Sequence, residues 1–288
     1  MTPHDADIYH VQTVVWTGEA AEICRAVGPD GKVVALKRLR RDIKGRRAAM
    51  RAIEHEGEMA LLFDHPNIVK AYHFIPLPVP TLVMEYFPSR NLKVRILEPR
   101  GDYLLTYHTR PILLSMADSL AHVHDRNIIH MDIKPENYLL SEEGVLKLTD
   151  FAIASRPVTD WRRFIPGRRR IAGTRPYIAP ETLRRRQPDH RTDIYSFGAT
   201  LYEILTGRPP FISNDRDELL KMHLRQTPAY LTGYNKNLTD DINALVLLML
   251  EKDPDRRPQS MAEVKARLEA IDLYLEEPKE VKSQEATR

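Results

Sequence analysis

The first third of the chain carries the apolar pattern of β-strands. Residues 22–27 (EICRAV) and 32–40 (KVVALKRLR) flank the turn sequence GPDG, which predicts a β-hairpin. Residues 68–74 (IVKAYHF) and 81–87 (TLVMEYF) predict two further strands, joined by the proline-rich IPLPVP. Between the hairpin and this pair, residues 48–63 space apolar side chains at helical intervals and predict one helix. We therefore expect a small β-rich lobe that contains a single prominent helix.

Beyond Phe87 the pattern changes to amphipathic and buried helices. The segments with this pattern are 111–127, 192–207 and 241–253. The predicted fold class is α+β with two lobes, a β-rich N-lobe over about residues 1–86 and a mostly helical C-lobe over about 87–274. Residues 275–288 are charged and nearly devoid of apolar side chains, which predicts a disordered tail.

Composition limits the classes of protein that remain. With 288 residues, of which 42% are hydrophobic, the chain is long enough to bury a full core. Its formal net charge of +3 gives no argument for nucleic-acid binding. The single cysteine, Cys24, excludes an internal disulfide framework and fits a reducing compartment. The N-terminus lacks the apolar core of a secretory signal, and the most apolar stretches reach about half the length of a membrane helix. We therefore expect a cytoplasmic protein without membrane insertion.

Three short motifs follow one another in the middle of the chain: HMDIKPENYLL at 130–140, DFA at 150–152 and GTRPYIAPE at 173–181. Their residues and spacing resemble the catalytic loop, the metal-binding Asp-Phe-Gly element and the Ala-Pro-Glu anchor of eukaryotic-type (Hanks-type) serine/threonine protein kinases. The resemblance extends from about Val11 to Tyr274. It implies a bilobed kinase fold, ATP as the phosphoryl donor, Mg²⁺ as the metal with Mn²⁺ as an alternative, and serine or threonine hydroxyls of a protein substrate as acceptors.

The resemblance assigns the transfer chemistry to five residues of these motifs. Asp132 is expected to accept or orient the proton of the attacking hydroxyl, and Lys134 to neutralise the transferring phosphoryl group. Asn137 and Asp150 supply oxygen ligands of the kind that Mg²⁺ prefers. Thr174 is expected to hydrogen-bond Asp132 and Lys134, although a threonine at this place also suits a turn cap.

An ion pair is expected further upstream. Lys37 of the VALK sequence lies on a predicted strand, where the family contacts the α- and β-phosphates of ATP. Its partner should be a glutamate on the following helix, for which Glu56 and Glu58 compete. We choose Glu56, because His65 of the HPNIV sequence lies nine positions after it, which is the spacing in the family. Standing alone, Lys37 would be an ordinary solvated lysine, so this assignment depends on the later motifs.

The family places adenine between apolar residues of both lobes, which here are Ile23, Ala35 and Leu139. Backbone groups of Glu85 to Phe87 are expected to bind the edge of the base, with Met84 as the gatekeeper residue. Of the three glycines expected in the phosphate-binding loop, Gly18 alone remains. Apolar residues in strands are usually core residues, and the two interpretations are compatible here.

Other landmarks of the resemblance imply structural roles. Glu181 should pair with Arg257 of the DRRP sequence, and Asp193 should hold the backbone of the catalytic loop. His130 and Phe151 resemble members of an apolar column that links the lobes, so packing is the expected role for both.

Four residues depart from the family pattern. Trp16 and Ala21 replace glycines that let backbone N–H groups approach phosphates closely, so the roof of the nucleotide site is expected to be altered. Met131 replaces an arginine that in relatives pairs with a phosphorylated residue of the activation segment, and methionine offers neither charge nor donors. We therefore expect activity that does not require phosphorylation of Ser155 or Thr159 in that segment. Ala152 replaces the glycine of the Asp-Phe-Gly element, and its methyl group restricts the backbone.

The segment between Asp150 and Glu181 is strongly basic. A basic surface beside the acceptor site favours acidic or phosphorylated substrates, or an acidic partner. The alternative is a solvated loop whose charge prevents self-association. The arginines are Arg156, Arg162, Arg163, Arg168, Arg169, Arg170 and Arg175, against the single added acid Asp160.

Two other classes of protein compete with an active protein kinase. A pseudokinase that binds nucleotide or partners as a scaffold is suggested by the four departures from the family pattern. A small-molecule kinase of the aminoglycoside or choline type shares an aspartate-asparagine loop and a following metal-binding aspartate. Proteins of that type lack the GT…APE platform found here at 173–181, which favours the protein kinase.

Overall fold

An antiparallel sheet of five strands forms the N-terminal lobe, with the spatial order β1-β2-β3-β5-β4. The computed structural model describes residues 8–40, 43, 46–76, 78–99, 101–157 and 173–279. Within them, the strands of this sheet are β1 (His10–Thr17), β2 (Ala21–Val27), β3 (Val33–Leu39), β4 (Ala71–Ile75) and β5 (Thr81–Glu85). The β2–β3 hairpin is the one predicted around GPDG, and it pairs Ala26 with Val34 and Ile23 with Lys37.

Strand β1 was missed by the analysis of the hydrophobic pattern. It lies at the edge of the sheet and pairs only with β2, so nearly all of its side chains are exposed. A strand without a buried face needs no alternation of apolar and polar residues, which removes the signal on which the prediction rests. Its pairing with β2 is irregular between Val11 and Thr13 and between Val14 and Trp16.

The single helix of the N-terminal lobe is α1 (Arg46–Ala60), which packs against β3, β4 and β5. Its buried face is formed by Ile53, Glu56, Gly57 and Ala60, the spacing of one side of a helix. Gly57 lies against the ring of Phe74 so closely that a Cβ atom there would come within 2.7 Å of it. The prediction extended this helix to residue 63, but it ends three residues earlier.

Helices make up most of the C-terminal lobe. In the described residues they are α2 (Leu92–Ile96), α3 (Tyr103–Tyr107), α4 (Thr109–Asp125), α5 (Pro180–Leu183), α6 (His190–Thr206), α7 (Arg216–Arg225), α8 (Asp240–Met249) and α9 (Met261–Ala270). A small sheet of β6 (Arg90–Asn91), β7 (Tyr138–Leu140) and β8 (Leu146–Leu148) lies beside them. This architecture confirms the predicted α+β class with a β-rich N-lobe and a helical C-lobe.

Helix α6 is the centre of the C-terminal lobe. Its residues from Thr192 to Glu203 are all buried, as expected of a helix that is surrounded by other elements. The side chain of Asp189 caps its first turn, and Gly207 ends it with φ 76°. The helix therefore presents polar side chains, among them Asp193, to the interior of the lobe, where each requires a partner.

The predicted pair of Glu181 and Arg257 is present and buried. The guanidinium of Arg257 donates to both carboxylate oxygens of Glu181, at 2.8 and 2.9 Å. Arg257 also donates to the backbone carbonyl groups of Glu251 and Arg191, while Glu181 accepts from the Thr192 hydroxyl. The pair thereby connects the segment that enters α5 with the start of α6 and the loop after α8.

The described part of the chain continues beyond Tyr274, where a disordered tail was expected to begin. The backbone N–H of Leu275 donates to the Asn237 carbonyl group at 2.7 Å, and that of Glu276 to the Asn237 side chain at 3.0 Å. The rest of the expected tail, residues 280–288, lies outside the described residues. In the part that the structure describes, every helix is too short or too polar to cross a bilayer.

We expect Arg257→Ala to lower the free energy of unfolding by about 3–5 kcal/mol, because Glu181 would remain as an uncompensated buried carboxylate. Urea unfolding monitored by circular dichroism measures the loss. The matched control is Arg267→Ala, which removes an exposed arginine that pairs with Glu263 at 2.8 Å within α9. This control should cost about 0.5 kcal/mol or less. Equal losses in the two variants would contradict the assigned role of the buried pair.

Candidate active site

The catalytic loop is held from below by one buried carboxylate. Asp193 on α6 accepts hydrogen bonds from the backbone N–H groups of His130 at 2.7 Å and Met131 at 2.8 Å. It also accepts a bond of 2.9 Å from the Nε2 atom of His124. Met131 has φ 69°, a conformation that side-chain-bearing residues rarely adopt. The predicted contact between Asp193 and the loop backbone is therefore present, and it fixes the strained residue just before Asp132.

Asp132, Lys134 and Thr174 form one hydrogen-bonded group. The Nζ atom of Lys134 lies 2.5 Å from Oδ2 of Asp132 and 2.9 Å from Oγ1 of Thr174. The Thr174 hydroxyl in turn donates to Oδ1 of Asp132 at 2.8 Å, and the Thr174 backbone N–H donates to the same oxygen at 3.1 Å. Because Lys134 can only donate, the Thr174 hydroxyl must point its proton at Asp132. The predicted bonds of Thr174 to both residues are thus present.

Asn137 is oriented by the same carboxylate. Its amide nitrogen donates to the backbone carbonyl of Asp132 at 2.8 Å and to the Asp132 carboxylate at 3.3 Å. Both bonds use the nitrogen, which leaves the amide oxygen of this buried side chain to face another ligand. An oxygen held in this way suits Mg²⁺, which binds carboxylate and amide oxygens.

The predicted pair of Lys37 and Glu56 joins β3 to α1. The Nζ atom of Lys37 lies 2.5 Å from Oε1 of Glu56 and 3.4 Å from Oδ1 of Asp150. Burial by itself would lower the pKa of Lys37, but the carboxylates of Glu56 and Asp150 outweigh it and raise that pKa. The lysine therefore remains charged near neutral pH. The competitor Glu58 is exposed on the other side of the helix.

Asp150 remains ionised as well. Burial would raise its pKa, but the ammonium of Lys37, with a smaller contribution from Lys134, lowers it below the ordinary value for an aspartate. Lys37 is the one ammonium between the carboxyl groups of Glu56 and Asp150, and burial raises the pKa of Glu56 although Lys37 opposes the shift. The side chain of Asp150 is 35% exposed, so one of its oxygens can be reached from the cleft. The ionised carboxylate of Asp150 and the amide oxygen of Asn137 fit a divalent cation by charge and by ligand type.

Ala152, which replaces the glycine of the Asp-Phe-Gly element, does not have the positive φ that would favour a glycine. Asp150 has the positive φ of 69°, whereas Ala152 is absent from the described residues with positive φ. Alanine is therefore accommodated in this conformation without backbone cost.

A column of rings connects the lobes behind this group. Phe151 stacks on Phe63 with ring centroids 4.6 Å apart, and its other neighbour is His130 at 4.9 Å. Burial lowers the pKa of His130, which keeps the imidazole neutral. The neutral ring is suited to packing, as expected for both His130 and Phe151.

The expected adenine residues line one apolar region between the lobes. Ala35 and Met84 face each other in adjacent strands and are buried, while Ile23 and Leu139 pack against the same core at its margin. Glu85 is held by its side chain, which accepts from the backbone N–H of Lys70 and pairs with Lys147. At Phe87 the carbonyl oxygen accepts from the Ser89 hydroxyl at 2.9 Å.

The roof of the cleft is shaped by Trp16. Its indole lies over Gly18, where an added Cβ atom would come within 2.2 Å of the ring. A residue larger than glycine at position 18 would therefore have to displace the indole of Trp16, which is 53% exposed. The backbone N–H of Gly18 donates to the Ala21 carbonyl group, and the Gly18 carbonyl oxygen accepts from Arg40, both at 2.9 Å. This loop is pinned by its own hydrogen bonds, and the N–H of Gly18 already has a partner.

Some of this site was not identified from the sequence. Lys93 on α2 pairs with the buried Glu203 of α6, and the Tyr177 hydroxyl donates to the same carboxylate at 2.5 Å. Partners 110 residues apart give no local pattern. The predictions for Thr159 and for Arg162, Arg163, Arg168, Arg169 and Arg170 lie outside the described residues.

The family model of the protein kinase domain matches residues 9–267, which is most of the chain. This chain therefore belongs to the protein kinase domain family. It is 33% identical over 268 residues to a probable serine/threonine-protein kinase of Streptomyces coelicolor, an alignment that covers 91% of this chain and 39% of that protein.

Two further relatives are the serine/threonine-protein kinases PknB of Mycolicibacterium smegmatis and Mycobacterium leprae. The first is 33% identical over 240 residues, covering 82% of this chain and 38% of that protein. The second is 32% identical over 274 residues, covering 92% of this chain and 43% of that protein. The chain thus spans about two fifths of the length of these curated relatives.

The position of Glu56 leads to a prediction about phosphoryl transfer. We expect Glu56→Gln to lower kcat/KM for ATP roughly tenfold to a hundredfold, because Lys37 loses a charge-assisted hydrogen bond worth about 1.5–3 kcal/mol. Glu58→Gln, the same change two residues further along α1 on its exposed side, should leave the value within about twofold of wild type. Steady-state kinetics with varied ATP measures both. A larger loss in the Glu58 variant would show that the ion pair is assigned to the wrong glutamate.

Proposed function

We propose that this chain is an ATP- and Mg²⁺-dependent protein kinase that phosphorylates serine and threonine side chains. The observation that carries the proposal is the group of Asp132, Lys134 and Thr174, in which one ammonium lies between a carboxylate and a hydroxyl. Membership of the protein kinase family supports it, and so do relatives named serine/threonine-protein kinases. The lysine at 134 and the GTRPYIAPE sequence also resemble the serine/threonine branch.

Asp132 acts on the acceptor in this proposal. Its carboxylate is held by Lys134, Thr174 and Asn137, so its orientation is set before a substrate arrives. A serine or threonine hydroxyl placed beside it can donate its proton to the carboxylate as the oxygen attacks phosphorus. Lys134 then stabilises the negative charge of the transferring phosphoryl group with its ammonium. Thr174 keeps both side chains in place and forms the floor on which the acceptor lies.

The nucleotide is held on the opposite side of the cleft. Lys37 contacts the α- and β-phosphates with an ammonium whose position is set by Glu56. Asn137 and Asp150 are the ligands for Mg²⁺, which when bound neutralises charge on the phosphates. Ile23, Ala35 and Leu139 enclose the adenine ring, next to Met84 and the backbone of Glu85 to Phe87. Gly18 belongs to the loop above the phosphates.

A pseudokinase has less support than an active enzyme. All the charged residues that transfer requires are present and connected by hydrogen bonds, and the altered residues lie around them. Ala152 causes no backbone strain, and Met131 contributes its backbone N–H to Asp193 whatever its side chain. The chain is expected to act in a reducing, cytoplasmic environment, in keeping with its lone buried cysteine.

Transfer in this enzyme does not depend on a phosphorylated activation segment. Met131 offers no charge with which to bind a phosphate, and the pair of Lys37 and Glu56 is formed together with the packed Phe151. Ser155 is already paired through its backbone with Ile129, at 2.8 and 2.9 Å. A phosphate is thus not needed to fix this stretch of the segment.

We further propose that the substrate is acidic or phosphorylated next to its acceptor residue. Arg175 directly follows Thr174 of the catalytic group, Arg156 lies between Lys134 and Thr174 in sequence, and a second basic run follows α5 at residues 184–186. These five arginines are exposed, and in the described part of the chain none has a carboxylate within ion-pair distance. Arg184 is anchored by donating to the Leu224 carbonyl group at 3.3 Å, which ties the run to α7. Exposed arginines without a carboxylate partner attract negative charge, and this property supports an acidic or phosphorylated substrate.

Incubation with Mg·ATP and a mixture of generic protein acceptors tests the catalytic proposal. We expect labelled serine and threonine, and we expect Asp132→Asn to lower kcat by about 10²–10⁴, the usual contribution of a general base.

Independence from activation-segment phosphorylation is tested with protein that is expressed together with a phosphatase and checked by mass spectrometry, so that phosphates are absent at the start. Full activity of Ser155→Ala and Thr159→Ala is expected. Nucleotide binding without turnover would support the scaffold alternative, and loss of activity in either alanine variant would refute phosphate independence.

Peptides that differ only in the charge beside the acceptor serine test the substrate proposal. We expect Arg186→Glu to raise KM for the acidic peptide about twofold to fivefold, in line with about 0.2–1 kcal/mol for an exposed ion pair. The neutral peptide should be unaffected, and the difference should shrink as salt is added. Lys32→Glu makes the same charge change in the exposed turn between β2 and β3 and serves as the control. If Arg186→Glu changes KM equally for the acidic and the neutral peptide, or for neither, the alternative of a merely solvated arginine surface is favoured.

A further inference from the structure

His55 makes a contact that none of the assigned roles explains. It precedes Glu56 on α1, and its Nε2 atom lies 2.7 Å from the backbone carbonyl oxygen of Ala154. A carbonyl oxygen can only accept, so Nε2 carries the proton of this hydrogen bond. The partners are 99 residues apart. The bond therefore joins the helix of the N-terminal lobe directly to the segment that follows Asp150 and Phe151.

The segment on the other side of this bond is itself fixed. Ala154 is fully buried, and its backbone N–H donates to the Phe151 carbonyl group at 3.1 Å. Ser155 then exchanges two backbone hydrogen bonds with Ile129, at 2.9 and 2.8 Å, just before the catalytic loop. The carbonyl that His55 binds is thus part of the framework that holds Asp132 and Asp150.

The hydrogen bond of His55 gives α1 a directional contact, which its apolar contacts do not provide. The helix is otherwise packed through buried apolar side chains such as Ile53 and Ala60, and contacts of this kind favour association but tolerate rotation. Neighbouring residues of a helix point about 100° apart around its axis. A helix that is hydrogen-bonded at both His55 and Glu56 is therefore fixed in rotation as well as in distance.

We infer that His55 is a positioning residue that keeps Glu56 against Lys37 by tying α1 to the backbone of Ala154. In relatives with an arginine before the catalytic aspartate, a phosphate can order this region, whereas Met131 cannot bind one. The side-chain to backbone bond of His55 provides an order that requires no modification. The inference rests on the proposed kinase activity for its kinetic consequence, but not for its structural one.

Three substitutions separate the hydrogen bond from the shape of the ring. His55→Gln retains a donor of similar reach, His55→Phe retains a ring without a donor, and His55→Ala removes both. We expect the Phe and Ala variants to lose about threefold to tenfold in kcat, the equivalent of one net hydrogen bond, with little change in KM for the peptide substrate. The Gln variant should stay within about twofold of wild type. His73→Ala is the control, because His73 is an exposed histidine of the same lobe that bonds Tyr9.

A double-mutant cycle shows whether His55 acts through the ion pair. In a Glu56→Gln background, replacing His55 by Phe should cost almost nothing further, because the position of residue 56 no longer matters. Losses that simply multiply would overturn the inference, and so would a Gln variant as impaired as the Phe variant. Thermal unfolding of each variant shows whether a loss reflects misfolding.

Amide hydrogen exchange tests the same link without turnover. We expect residues 46–60 of α1 and residues 150–155 to exchange about threefold to tenfold faster in the Phe variant than in wild type, and the Gln variant to resemble wild type. Unchanged exchange in the Phe variant would refute the inference. If wild type transfers no phosphate, the proposed function fails, and the exchange experiment still decides whether His55 holds the helix.

Discussion

The geometry of the cleft depends on the need to satisfy one buried carboxylate. Asp193 is completely buried on α6, and a charge in such a place must be surrounded by donors. It finds them in His124 and in two consecutive backbone N–H groups of the catalytic loop, and the second of these belongs to a residue with φ 69°. The strained turn at Met131 is stable because these bonds hold it, and it directs the next residue, Asp132, into the cleft. The remaining polar contacts of the site follow from that direction.

The charges of the cleft are arranged in two groups that meet at Asp150. Asp132 and Lys134 balance each other, with Thr174 as a neutral link. Lys37 is shared between Glu56 and Asp150, so two carboxyl groups compete for one ammonium. Like charges in a partly buried region repel, and a divalent cation relieves that repulsion while it binds phosphate.

Helix α1 positions the group of Lys37, Glu56 and Asp150 relative to the catalytic loop. Its residue Glu56 bonds Lys37 on β3, and its residue His55 bonds the backbone carbonyl of Ala154, four residues after Asp150. Apolar contacts such as the stack of Phe63 on Phe151 press the lobes together but leave their relative rotation free. Directional bonds remove that freedom. With methionine at 131, the residue before Asp132 has no charge with which to bind a phosphate.

The sequence by itself determined the class of fold and the identity of the charged residues. Alternation and helical spacing located β2 to β5, α1 and the main helices, because each of these elements has a buried face. The resemblance to the kinase family also selected Glu56 over Glu58 and paired Glu181 with Arg257, and both pairs are present. Tertiary structure alone decided the rest. Strand β1 has no buried face that a sequence pattern could mark. The indole of Trp16 lies against Gly18 in the folded chain, and the hydrogen bond from His55 to Ala154 joins residues 99 apart. Such contacts arise from how folded elements approach one another, and no local pattern of residues encodes them.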